Sequence, residues 1–382
     1  MIAADRNKQS GLTLVELMVS MAVGVMLITG IIQLMANNKQ QYIFQSELAR
    51  MQENGRYALT VIREELQMAG VAGCSATSQI NNLLDSSAAN YSDTLFNLNQ
   101  AVGGWEYRPG SVDKTAPTNS YTLTNVVSSA PADWENGDTP SIALDSALNN
   151  KVLKGTDVFF VKRTEPALDL TITTATTFAV NAGTTFSVSA DVDLGQLVVL
   201  SDCSGTDLFR NCNVDPLALS TVKRIGCVDA PNNDTSLLWG HAYEVLQGGE
   251  DATIAPVTIH GFYIGLGQDN QPTLYRKRYS QGAPSNAEPL VEGIESMQVL
   301  YGVDTDADLV PNQYVTAAGL SGGAADNVVS VRVSLLLRSI QEIEEVDNTD
   351  SLLMAETTIN SGSDRYLRKA VSTTVQLRNR GI

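Results

Sequence analysis

Residues 12–36 read LTLVELMVSMAVGVMLITGIIQLMA and carry a single formal charge, Glu16. A helix over this run is about 37 Å long, enough to cross a hydrocarbon core of about 30 Å. No proline interrupts it, the first in the chain being Pro109. A short polar peptide precedes it, MIAADRNKQSG, in which Arg6 and Lys8 outweigh Asp5. By the positive-inside rule that peptide stays cytoplasmic and everything after Ala36 is exported. The run therefore restricts the chain to a membrane-anchored arrangement with its bulk outside the cytoplasm.

An ordinary secretory signal is cut after its apolar run, at small residues. Here the small residue, Gly11, stands before it. Cleavage between Gly11 and Leu12 would discard residues 1–11 and leave the apolar helix as the new amino terminus. That gives Glu16 a reason to exist. A carboxylate at helix centre costs roughly 2.5–3.5 kcal/mol to insert and persists where a partner stands. A freed amine at Leu12, on the same helix or a neighbouring one, is such a partner. Ser20 and Gly24 form a small-xxx-small pair suited to close helix packing.

Residues 37–73 continue the helix. Phe44, Leu48, Met51, Gly55, Leu59, Ile62, Leu66 and Ala69 recur at steps of three and four, one apolar stripe, and Gly70 and Gly73 are terminators. Gly55 costs about 1 kcal/mol against Ala there, which close approach of another backbone would offset. Beyond Cys74 the period changes. Strands are expected at 156–163, 196–201, 257–264, 296–303, 328–337 and 371–378; the fifth alternates Val329, Val331, Val333 and Leu335 with Ser330, Arg332 and Ser334. Residues 75–120 and 169–190, rich in Ser, Thr, Asn and Ala, read as loops or irregular edges. The expected class is α+β: a long helix, transmembrane and then amphipathic, on an antiparallel sheet with large loop insertions. The divisions are 1–11, 12–36, 37–73 and 74–382.

The formal charge of −17 argues against broad attraction to nucleic acid or an anionic membrane surface. The basic residues Arg276, Lys277, Arg278, Arg365, Arg368, Lys369, Arg378 and Arg380 lie in strand-like surroundings, where they face opposite sides or pair with carboxylates. The four cysteines, Cys74, Cys203, Cys212 and Cys227, show no CxxC spacing. In an exported domain they are compatible with two disulfides, and spacing leaves all three pairings open. His241 and His260 are the only histidines; neither has zincin spacing or an evident carboxylate partner, and no nucleophile elbow or P-loop occurs. No catalytic residue is assigned and no enzyme activity expected. Asp304, Asp306 and Asp308 alternate like the first ligands of an EF-hand calcium loop, with Asn312 as a further oxygen. Against that, Leu309 and Val315 replace its turn glycine and bidentate glutamate. Calcium is the one candidate cofactor.

Gly11, Thr13, Leu14, Val15 and Glu16 before the apolar run resemble the class III signal of type IV prepilins and type II secretion pseudopilins. RYALTVIREELQMAGVAGCS (56–75), GTDVFFVKR (155–163), SDCSGTDLF (201–209), VEGIESMQVLYGVDTDAD (291–308) and DRYLRKAVSTTVQLRNRG (364–381) are similar to the PilW type of minor pilin. The resemblance implies a pilin-like fold and cleavage after Gly11. It also implies methylation of Leu12, where phenylalanine or methionine is usual, by a prepilin peptidase and N-methyltransferase. It further implies a Cys74–Cys203 bond, leaving Cys212 to Cys227. The implied function is a structural subunit that joins other minor pilins and the major pilin in a tip complex priming assembly and carrying an adhesin. The inner membrane and its assembly platform hold the subunit first, with its domain in the periplasm; the surface fimbrium, an organ of adhesion or twitching motility, holds it afterwards. The rival readings are a type II secretion minor pseudopilin and a membrane-anchored periplasmic enzyme or binding protein.

Overall fold

The structure is a computed structural model describing residues 13–70, 79–88, 91–108, 119–138, 143–170, 176–178, 185–202, 204–215, 217–227, 232–240, 242–245, 252–279, 287–321, 323–343 and 347–378. Helix α1 runs unbroken over Leu14–Gln67, 54 residues. Its start is fixed by a reciprocal cap. Thr13 Oγ1 accepts from the Glu16 backbone N–H at 3.3 Å, while Glu16 Oε2 accepts from the Thr13 N–H at 3.0 Å. It stops before Gly70, whose φ of 110° suits glycine, and the Gly70 N–H donates to Lys162 O at 2.8 Å as the chain turns toward the sheet. Gly73 lies outside the described residues.

The chain divides into two compact units, one ending at Arg50 and one beginning at Met51. In the first, the apolar side chains of the helix are exposed: Leu14, Met18, Val25, Ile28 and Leu34 among others. In the second, Met51, Gly55, Ala58, Ile62, Glu65 and Leu66 are buried; Met51, Gly55, Ile62 and Leu66 belong to the stripe the spacing predicts, Ala58 and Glu65 do not, and Leu59 is half-buried. Phe44 is exposed, so the buried stripe begins later than the sequence pattern does. Gly55 meets a side chain rather than a backbone. A Cβ there would lie 2.6 Å from Leu337 Cδ1.

Two sheets supply the opposing surfaces. The larger, ten-stranded among the described residues, contains β1 (Ile80–Asn82), β2 (Val102–Tyr107), β3 (Val158–Thr164), β4 (Leu197–Ser201), β5 (Thr206–Arg210), β6 (Thr253–Leu266), β7 (Pro272–Arg278) and β8 (Glu288–Glu292). Its main path is β1-β5-β4-β6-β3-β2, ending on Trp134–Glu135, with β7 joining β6 to β8. The smaller has the order β10-β9-β11-β12, from Gln313–Val315, Ile294–Val303, Val328–Arg338 and Arg368–Gln376 respectively. All six expected strands are present, with ends shifted by a few residues. The antiparallel framework is divided between sheets, and the short strand β1 pairs with β5 in parallel. Strand β2 falls inside a region read as loops or irregular edge strands. Its VGGWEY sequence is wholly buried, and a Cβ on Gly104 would come within 2.3 Å of Val158 O.

The helix stripe joins one apolar core with Phe262, Ile264, Leu274, Met297, Val299, Val333, Leu335 and Leu337, drawn from both sheets. Strand β9 is buried along its whole length. Burying Ile62 or Leu66 contributes about 1.5–3 kcal/mol each. A separate cluster of Phe186, Phe209, Trp239 and Tyr243 supports the segment that carries the disulfide.

Candidate functional site

The two ends of α1 handle charge differently. At the amino-terminal end Glu16 is exposed and bonded only locally: Oε2 accepts from Thr13 N and from Thr13 Oγ1 at 2.9 Å. Its carboxylate therefore sits on the open N–H groups of the first helical turn, where negative charge is favoured. Ser20 Oγ donates to Glu16 O at 2.6 Å, so the hydroxyl of the small-residue pair turns back on its own helix. Gly24 has open space around it. Gly11 and Leu12 lie outside the described residues.

At the other end Glu65 is buried among an imidazole and two guanidiniums. Its Oε2 lies 3.0 Å from His260 Nδ1 and 3.5 Å from Arg163 Nε, and its Oε1 accepts from Arg276 Nη1 at 3.1 Å. Burial alone would push this carboxyl up. The close approach of the His260 imidazole, with Arg163 and Arg276, outweighs it and holds Glu65 below the usual carboxylate range. Arg163 continues to Glu165 at 3.1 Å and Arg276 to Glu288 at 2.8 Å. One helix side chain thereby ties to β3, β6 and β7. His260 has the carboxylate partner that its sequence neighbourhood does not offer, and that partner comes from α1. His241 lies outside the described residues.

The other basic residues are mostly spoken for. Arg368, on β12, holds Glu295 through Nε at 2.7 Å and Asp364 through Nη1 at 2.6 Å. Arg338 reaches Glu295 at 3.3 Å and stacks 4.1 Å over the Tyr366 ring. Arg365 pairs with Glu342 at 3.1 Å. These pairings spend positive charge inside the sheet framework, as the strand-like surroundings suggest.

Asp304, Asp306 and Asp308 are brought together: each can offer an oxygen within 4.8 Å of the others. Asp304 accepts backbone N–H groups from Asp306, Ala307 and Leu309 at 3.1, 2.8 and 2.8 Å. Leu309 adopts φ 67°, so it takes a left-handed turn in spite of its side chain. Asn312 is turned elsewhere, its Oδ1 accepting from Thr305 N and Oγ1. A hard cation bound here would be held by those three carboxylates, with Asn312 available only if it released Thr305. Val315 offers no side-chain oxygen.

Cys212 and Cys227 are joined by a disulfide with Cα atoms 5.2 Å apart. Cys74 and Cys203, the other implied pair, lie outside the described residues. Glu65 and His260 are the residues that sequence reasoning missed. The only available signal was an acid within an apolar helical stripe.

Comparisons with known proteins bear on both ends. Residues 6–32 match the prokaryotic N-terminal methylation motif. Residues 261–379, from the second half of β6 through β12, match the family of Type IV Pilus-assembly protein W. The phrases at 56–75, 155–163 and 201–209 fall outside that match. A solved type IV-like pilin from Thermus thermophilus overlaps at 17% identity and TM-score 0.22, covering 33% of this chain and 67% of that one. No curated protein matches. Over these two stretches the chain is similar to the prokaryotic N-terminal methylation motif and to the family of Type IV Pilus-assembly protein W.

Proposed function

We propose that this chain is a tip subunit of the type IV pilus, joining other minor pilins in the complex that primes assembly. The observation that carries the proposal is the processing motif together with the state of Glu16. That acid sits in an apolar, exposed helix end, where among the described residues its hydrogen bonds are to Thr13. In this reading prepilin peptidase cuts after Gly11 and methylates Leu12. The segment 12–36 then leaves the inner membrane for a bundle of like helices, where Glu16 meets a neighbour's amine. The β-rich domain makes lateral and apical contacts, including those to the major pilin and a tip adhesin, while the assembly platform receives the processed subunit. A domain this large suits a tip, where its bulk is not repeated along the fibre. The PilW match favours the pilus over a type II secretion pseudopilus.

Mass spectrometry of the native amino terminus tests the first step. The expected peptide begins at methylated Leu12; retention of residues 1–11 overturns the reading. Immunogold labelling tests the placement, since label along the whole fibre refutes a tip subunit. The convergence of Asp304, Asp306 and Asp308 favours one addition, a calcium ion in the loop before β10, which a thermal melt with and without calcium checks.

A further inference from the structure

The loop closed by the Cys212–Cys227 disulfide displays two bare aliphatic side chains on a rigid frame. Val214 is 75% exposed and Leu217 is 93% exposed. Flexible loops can fold such groups against themselves, but this one is held at base and tip. At the base, Cys212 N donates to Lys223 O at 2.9 Å, and 221–223 pairs with 185–187. Three buried asparagines then act as internal struts. Asn211 Oδ1 accepts from Asn213 N and Lys223 N at 3.2 and 3.0 Å. Asn213 Nδ2 donates to Ala218 O and Thr221 O at 2.9 and 3.1 Å. Asn233 Nδ2 donates to Arg210 O and Ile225 O at 2.9 and 2.8 Å. Near the tip, Asp215 Oδ1 accepts from Leu217 N at 3.0 Å, and Val192 N donates to Leu219 O at 2.9 Å along the flank.

We infer that this loop is a docking finger whose Val214 and Leu217 enter an apolar pocket, flanked by a Lys or Arg, on a neighbouring fibre subunit. Two observations select that occupant. A preformed loop has little conformational freedom left to lose on binding, which is how a small contact becomes useful. The carboxylates Asp191 and Asp215 are exposed on its flanks, in a chain of net charge −17, which disfavours an anionic lipid surface and complements a basic rim. Two aliphatics cannot hold a complex alone, since stable interfaces bury about 1,200–2,000 Å². Bundled helices would hold neighbouring domains at an effective concentration of order mM. At that concentration a weak knob decides which neighbour sits beside it. The inference rests on the proposed function.

The test places a photo-crosslinking residue in the full-length protein in assembling cells, as Leu217→benzoylphenylalanine, with Ile28→benzoylphenylalanine in the helix as a companion. Position 217 is bare, so folding and disulfide formation are unaffected, and non-reducing electrophoresis verifies this. The expected result is an adduct from position 217 to another prepilin-type subunit, mapped to a peptide with apolar residues and a Lys or Arg. Asp215→Lys lowers its yield about fivefold, and reversing the partner's base to Glu restores it. An adduct only to lipid, an adduct only to a second copy of this chain, or none while the helix adduct persists overturns the finger alone. Loss of both adducts overturns the fibre-subunit reading and the finger with it.

Discussion

Glu16 and Glu65 lie on apolar stretches of one helix, yet among the described residues only Glu65 stands beside basic side chains. Glu65 has gathered His260, Arg163 and Arg276 from three strands. Among the described residues Glu16 has Thr13, a hydroxyl and an N–H at the helix end. A buried or membrane-embedded acid is costly unless paired. The Glu65 account is closed by folding; the Glu16 account stays open until another charge arrives. Acids of the first kind serve stability. Those of the second kind are where an assembling protein keeps its unsatisfied chemistry.

The largest effect expected from this contrast is at Glu65. Glu65→Ala removes the anion that the His260 imidazole and the guanidiniums of Arg163 and Arg276 share and leaves them facing a cavity. Breaking a buried pair in this way costs about 3–5 kcal/mol. Chemical denaturation of the exported domain measures it, and a loss below about 1 kcal/mol would show the ring to be ornamental. Acid reads the same group without mutation. The folded-state pKa of Glu65 is depressed, so its contribution is complete above the unfolded carboxylate value of about 4.3 and is lost as pH falls through the folded value beneath it. Unfolding free energy against pH in that window is expected to be steeper for the native chain than for Glu65→Gln.

The second prediction inverts the first. Glu16→Gln is expected to leave the melting temperature of the β-rich domain unchanged, because the hydrogen bonds of the carboxylate among the described residues are to Thr13. Incorporation into pili is expected to fall about tenfold or more, the equivalent of about 1.4 kcal/mol. Quantitative blotting of sheared fibres against whole cells measures this. Unaltered incorporation would make the two acids alike and remove the reason for the proposed cleavage after Gly11.

Legibility in the sequence divides along the same line. The Val-Ser-Val-Arg-Val alternation of β11 is visible because a half-buried strand imprints its period of two. The helix is visible for the same kind of reason, and the match of residues 6–32 to the methylation motif falls on the stretch that holds Gly11 and Glu16. Strand β2 is not, since Gly103 and Gly104 lower its strand propensity while the close approach of Val158 O demands a residue without a Cβ. The Glu65 ring is invisible for a stronger reason. Its members come from residues 65, 163, 260 and 276, and only tertiary folding shows that an acid in a stripe has partners at all. Asp304, Asp306 and Asp308 fall between these cases, with spacing that announces convergence but not what converges on them.

The smallest predicted effect concerns that third set of acids, which have one another for company and no basic side chain in the 304–308 run. Three carboxylates with oxygens inside 4.8 Å repel unless a cation or solvent intervenes, and Asp304 escapes part of this by accepting three backbone N–H groups. By the logic that separates Glu16 from Glu65, the proposed calcium ion would supply their counter-charge. Calcium at five times its dissociation constant is expected to add about 1 kcal/mol of stability, a rise of about 2–4 °C in melting temperature for a domain of this order of size. Magnesium, which demands a tighter octahedron and surrenders water reluctantly, is expected to do less. Asp306→Asn and Asp308→Asn should each reduce the calcium response while leaving the calcium-free melt in place. Asp306 accepts none of the backbone N–H groups that Asp304 holds, and the amide oxygen left by Asp308→Asn can still accept the Val310 N–H that Asp308 Oδ1 takes at 2.8 Å. A melt indifferent to millimolar calcium would assign the run to the solvated surface, with the backbone N–H groups on Asp304 as its sufficient stabilisation.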